Sequence, residues 1–132
     1  MNLSNFIYKN VIRESSATVF VAEFGVLTSK EELFEAYNKQ LRFPYFGYNW
    51  DALWDCLCIL DWLEQENVCL LHKAIPSLPP DDMMVYLEIL HDTVDIRMQR
   101  LRNRWVEVCF PSNAENKLKP YLAVIKDKPF FT

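Results

Sequence analysis

A chain of 132 residues, 51% of them hydrophobic and 14% aromatic, is long enough for one domain whose buried core needs neither disulfide nor metal support. The net charge of −4 counts against nucleic acid as a ligand, and no uncharged apolar stretch approaches the length of a membrane span. The N-terminus lacks a basic region followed by an apolar run, so the expectation is a cytoplasmic protein.

In chain order, Thr18 to Phe24 is nearly continuous in apolar and β-branched residues and reads as a buried strand. Ser29 with Glu32 three residues on forms a capping box, and Leu33, Phe34, Tyr37 and Leu41 follow at helical spacing, so a helix should end near Leu41. A loop from Phe43 to Tyr48 precedes Asn49, a good N-cap for a second helix running to about Leu63. Gly47 in that loop suggests a turn with positive φ. Asn67 to Leu71 reads as a second strand. Asp81 and Asp82 open a third helix, on which Met83, Leu87, Leu90 and Val94 recur toward Leu101. Val106 to Phe110 is the third strand, and the tail from Pro111 adds an irregular strand or a short helix around Tyr121 to Ile125. The order β-α-α-β-α-β implies an α/β fold, a small three-stranded parallel sheet flanked by helices. The domain core spans about 18–110, with 111–132 as a C-terminal extension.

Cys56, Cys58, Cys69 and Cys109 form no C-x-x-C pair and read as reduced, buried small hydrophobes. Cys69 and His72 would face opposite sides of a strand, so no metal site is expected, and nothing calls for a cofactor.

Tyr45-Phe46-Gly47-Tyr48-Asn49-Trp50-Asp51-Ala52-Leu53-Trp54-Asp55 packs five aromatics and two aspartates around one glycine. On a helix turning about 100° per residue, Leu53, Cys56, Leu57 and Leu60 make the core stripe, while Asp51, Trp54, Asp55, Cys58 and Trp62 fall on the opposite side. Like charges four residues apart are mildly unfavourable for a helix, and the dipole offsets this only near Asp51. Phe43 to His72 carries Asp51, Asp55, Asp61, Glu64 and Glu66 with no Lys or Arg, a field that attracts a cationic protein. Asp55 has the least structural explanation. Asn49 has a sufficient one as a cap, and Asp51 reads equally well as a first-turn helix acid. Trp54 also suits packing beneath a neighbouring loop.

The run Tyr45-Phe46-Gly47-x-Asn49-x-Asp51-Ala52-Leu53-Trp54-Asp55-Cys56-Leu57 resembles the barstar family, the small intracellular inhibitors of barnase-type ribonucleases. Elsewhere the resemblance is one of element order. It implies that the loop and second helix plug a ribonuclease active site, with Tyr45, Asn49, Asp51, Trp54 and Asp55 on the inhibitory surface. By the same resemblance, Asp55 fills the enzyme's phosphate pocket and Asp51 pairs with its basic residues. Cys58 stands where the family often has a contacting hydroxyl residue. An acid on the third helix is implied at the rim, and Asp92 is chosen from His91, Asp92 and Asp95. Trp50 replaces a smaller apolar residue of the pattern. The implied partner is a basic ribonuclease or nuclease toxin domain, met by a chain that is monomeric when free. The alternative is an immunity or interaction protein of the same fold with a non-ribonuclease partner.

Two other function classes fit less well. An enzyme using Asp51 and Asp55 as acid and base would need an enclosing pocket, and no nucleophile or phosphate-loop motif accompanies them. Arg97, Arg100, Arg102 and Arg104 could face nucleic acid, but cations at a helix C-terminus already suit the dipole, so no nucleic-acid partner is expected.

Overall fold

A computed structural model describes residues 6–60, 62–100 and 105–125, with the backbone alone over 96–100. Asp61, the four arginines considered for nucleic acid, and Lys126, Asp127 and Lys128 therefore lie outside the described side chains. The elements are β1 (Ile7–Tyr8), β2 (Val19–Phe24), α1 (Lys30–Leu41), α2 (Trp50–Ile59), β3 (Asn67–His72), α3 (Pro80–Arg100), β4 (Val106–Phe110) and α4 (Ala114–Ile125).

The sheet is parallel, as the short buried strands predict, but it has four strands in the order β1-β4-β3-β2 rather than three. The extra strand is two residues long, too short to register as a period. It forms because β4 offers an edge: Ile7 pairs with Cys109 and Tyr8 with Phe110, and Lys9 N–H donates to the Phe110 carbonyl at 2.9 Å. The tail also differs. α4 begins at Ala114 and runs through Pro120, with Ala114, Leu118, Leu122 and Ile125 buried. Pro120 hid this helix, since proline in a helix interior removes a donor and usually marks a break.

One sheet face carries Ala22, Phe24, Val68, Leu70, Val106, Val108 and Phe110 into the main core with the helices. The other carries Val21, Cys69, Leu71 and Cys109 against Val11. The segment between β1 and β2 crosses that second face, held by an ion pair between Arg13 and Glu107 at 3.0 Å. At the β2 edge, Ser15 and Ser16 hydroxyls accept from the Val21 and Val19 amides at 2.9 and 3.1 Å, and Gln40 donates to the Glu23 carbonyl. These bonds occupy edge groups that would otherwise be open to pairing with another strand.

Within the core, α1, α3, β3 and β4 are tied by a chain of polar groups. Tyr37 and Tyr86 hydroxyls lie 2.7 Å apart, Tyr86 lies 2.6 Å from His72 Nε2, and His72 Nδ1 lies 3.1 Å from the Cys109 carbonyl. That carbonyl can only accept, so Nδ1 carries the proton. Nε2 then accepts from Tyr86, and Tyr86 accepts from Tyr37. The imidazole stacks on Phe110 at 4.2 Å. Burial pushes the His72 pKa down to about 4, against hydrogen bonds to the Cys109 and Leu70 backbone that raise it.

Cys69 and Cys109 are buried and free, whereas Cys56 and Cys58 are half-buried, because α2 turns both partly toward its flanks. Burial, then the nearby Glu107 carboxylate, raises the Cys69 thiol to about 11. Cys69 and His72 do occupy opposite sheet faces. Among the described residues no group of three or more His, Cys, Asp or Glu side chains could hold a metal ion, and no helix is long and apolar enough to cross a membrane.

Candidate partner-binding site

The site is built where α1 hands over to α2. Ser29 caps α1 by accepting from the Glu32 amide at 3.1 Å. Glu32 reaches back one residue further than a capping box would place it, accepting from the Thr28 amide at 2.7 Å and hydroxyl at 2.9 Å. The Thr28 backbone bond, then the hydroxyl bond, lower the Glu32 pKa. α1 ends as Arg42 enters the left-handed region at φ 51° and closes on the Asn38 carbonyl.

The loop that follows is fixed from beneath by aromatic packing. Phe43 is buried, stacked with Tyr37 and edge-on to Phe46 and Trp62 at 5.0 and 5.7 Å. Phe46 packs on Phe34 and Tyr48. Tyr48 is 47% exposed, but its hydroxyl accepts from Asn38 at 2.9 Å, which holds the ring back against α1. Tyr45 is 86% exposed, so the two tyrosines part ways: one braces the loop and the other is presented.

The positive φ expected at Gly47 belongs to Tyr48, at 54°. Gly47 is favoured instead by close approach, since a Cβ there would lie 3.3 Å from Asn49 Nδ2 and 3.6 Å from the Ala52 Cβ. Gly47→Ala should therefore change stability by less than about 1 kcal/mol, because the lost unfolded-chain entropy offsets a small shift of the Asn49 amide. Denaturant unfolding checks this; a larger loss would mean that the loop needs glycine for its backbone conformation.

Asn49 is occupied as the N-cap of α2. Its Oδ1 accepts from the Ala52 amide at 2.8 Å, and its Nδ2 donates to the Gly47 carbonyl at 3.4 Å. The helix is shorter than its pattern suggests. It stops at Ile59 because Leu60 turns left-handed, φ 50°, and enters the core. Trp62 consequently leaves the outward face. Its indole N–H donates to the Leu41 carbonyl at 2.8 Å, closing an open carbonyl at the end of α1. Trp50, the departure from the family pattern, points inward against Phe34 at 4.8 Å, so it alters the packing under the site.

Asp51 and Asp55 are exposed, one turn apart, and among the described residues neither carboxylate takes part in a hydrogen bond or ion pair. Trp54 is half-buried against the core, and Cys58 is half-buried beside it on the helix. Cys56 donates to the Tyr45 carbonyl at 3.8 Å, bringing the loop against the helix, and burial followed by the Asp55 carboxylate raises its thiol pKa. Ile59, which sequence reasoning passed over, is exposed four residues beyond Asp55; that spacing was the available signal. The structure thus brings Tyr45, Asn49, Asp51, Trp54, Asp55 and Cys58 into one loop–helix unit.

Asp92 lies on α3, which packs against α2. Its side chain is only 14% exposed, beside His91 Nδ1 at 3.5 Å, and is less presented than the α2 acids. Glu88 shares a helix face with Asp92 and Asp95, all partly buried.

The family model described as Barstar (barnase inhibitor) matches residues 17–109. Comparison with curated proteins and with solved structures gives no match. The matched span runs from just before β2 to the end of β4 and takes in the whole loop–helix unit, while β1 and α4 lie outside it. A match over well more than half of its length places the chain in the barstar family.

Proposed function

We propose that this protein is an intracellular inhibitor that occludes the cationic active site of a ribonuclease or ribonuclease-like toxin, and so serves as an immunity protein. The observation that carries the reading is the pair of exposed carboxylates, Asp51 and Asp55, on a helix whose other side is locked into the core by Leu53 and Leu57. Ribonuclease sites hold phosphate with Arg, Lys and His, and a rigidly presented carboxylate offers the same hydrogen-bond acceptors. Rigidity matters because little side-chain or loop freedom is then lost on binding. Asp51 and Asp55 take the phosphate-like role, while Tyr45 and Trp54 flank them. Asn49 holds the helix start, Cys58 lines the contact, and Asp92 adds charge from α3. Exposure of both acids favours binding over acid–base catalysis, which needs an enclosed pocket to separate two carboxyl pKa values.

The test is inhibition of basic ribonucleases and nuclease toxin domains by the purified chain at increasing ionic strength. Inhibition should be stoichiometric and should weaken as salt rises, because screening removes charge complementarity. If no nuclease of either class is bound at low salt, the proposal is wrong.

A further inference from the structure

The carboxylates of α2 are continued by an apolar side chain. Ile59 follows Asp55 by four residues, as Asp55 follows Asp51, so the three form one row along the helix. Ile59 is 53% exposed. A β-branched apolar residue there gives up helix propensity and leaves much of its surface in water. Within the row, Ile59 leans toward the flank of Cys56, the same flank on which Cys56 meets the Tyr45 backbone. Trp54 lies on the other flank. The Tyr45 backbone and Ile59 therefore lie on one flank of the acids, and both residues are exposed, 86% and 53%.

We propose that Tyr45 and Ile59 form an apolar lip that docks on a nonpolar wall beside the partner's phosphate pocket, and that Ile59 sets which nucleases are accepted. This rests on the inhibitor reading and adds to it the chemistry of the partner's rim. The row is continuous, so a partner that seats its cationic pocket over Asp51 and Asp55 must also meet Ile59. A charged or tightly filled rim at that point would be desolvated or would clash, with no compensating bond. A nonpolar shelf would gain burial of the isoleucine side chain. Selection then works by attraction to one class of rim and rejection of the other.

The experiment compares wild type, Ile59→Ala and Asp55→Ala for binding to a panel of active-site-inactivated basic ribonucleases and nuclease toxin domains, each at several salt concentrations. Ile59→Ala should raise Kd for the bound member by about tenfold, mainly through faster dissociation, with the salt slope of wild type. Asp55→Ala should raise Kd and flatten that slope. If Ile59→Ala binds as tightly as wild type while Asp55→Ala loses binding, the lip is wrong and the inhibitor reading stands. If Asp55→Ala binds like wild type, or nothing in the panel binds wild type, the inhibitor reading fails and the lip falls with it. Thermal unfolding of Ile59→Ala should match wild type, because the position is exposed.

Discussion

On the proposed inhibitor function, Asp55→Ala should weaken binding of the target nuclease by about 2–5 kcal/mol, roughly 30- to several-thousand-fold in Kd. Two physical effects add to give that size. The variant loses charge-assisted hydrogen bonds to the partner's cations, and those cations are left desolvated without a counter-charge. Asp51→Ala should lose less, because Asp51 sits in the first turn of α2 where part of its role is to complement the helix dipole. Asp55→Ala should leave folding stability nearly unchanged, since its side chain is exposed, whereas Asp51→Ala should cost up to about 1 kcal/mol of stability through the lost dipole interaction. Isothermal titration with an inactivated nuclease, alongside thermal melts, separates these effects. Equal affinities for wild type and Asp55→Ala would remove the central acid from the mechanism.

The second large effect is on folding stability and comes from His72. Its pKa falls from the ordinary 6.5 to about 4 on folding, because burial of the ring outweighs the hydrogen bonds to the Cys109 and Leu70 backbone that raise it. The folded-state pKa is depressed, so between about pH 6.5 and 4 the unfolded chain holds a proton that the folded chain does not. The contribution is fully present above pH 6.5 and is lost as pH falls toward 4, about 3 kcal/mol in all. Glu32, whose lowered pKa acts in the same direction, enters only near and below its ordinary 4.5. Denaturant unfolding at pH 7 and at pH 4.5 should show the loss, and His72→Asn should remove most of the slope between them. If that variant folds too poorly, the wild-type imidazole resonances provide the check: a ring that titrates near pH 6.5 in the folded protein would refute the argument.

Ser29, Asn49 and the strands Val19–Phe24 and Val106–Phe110 were legible because their signals act within a few residues. A cap needs only an amide two or three positions on, and a buried strand needs only its own apolar run. The same holds for the outward pair Asp51 and Asp55, since helical spacing alone opposes them to Leu53 and Leu57. The errors have a different cause. β1 exists only because β4 supplies an edge about a hundred residues away along the chain. α2 stops early because Leu60 and Trp62 find better partners in the core than the helix offers, so Trp62 left the predicted face and Ile59 became its end.

Local chemistry decided the helix caps, the buried strands and the acidic–aromatic segment that carries the family resemblance. Folding in three dimensions decided which aromatics stay outside: Tyr48 is held by Asn38 while Tyr45 is presented, though the two are three positions apart. It also decided that His72 is a neutral link to Tyr86 and Tyr37, joined across 49 positions between the tyrosines. Periodicity and capping report energies between near neighbours. Exposure and long-range hydrogen bonding depend on which distant surfaces meet, and no short stretch of residues carries that information.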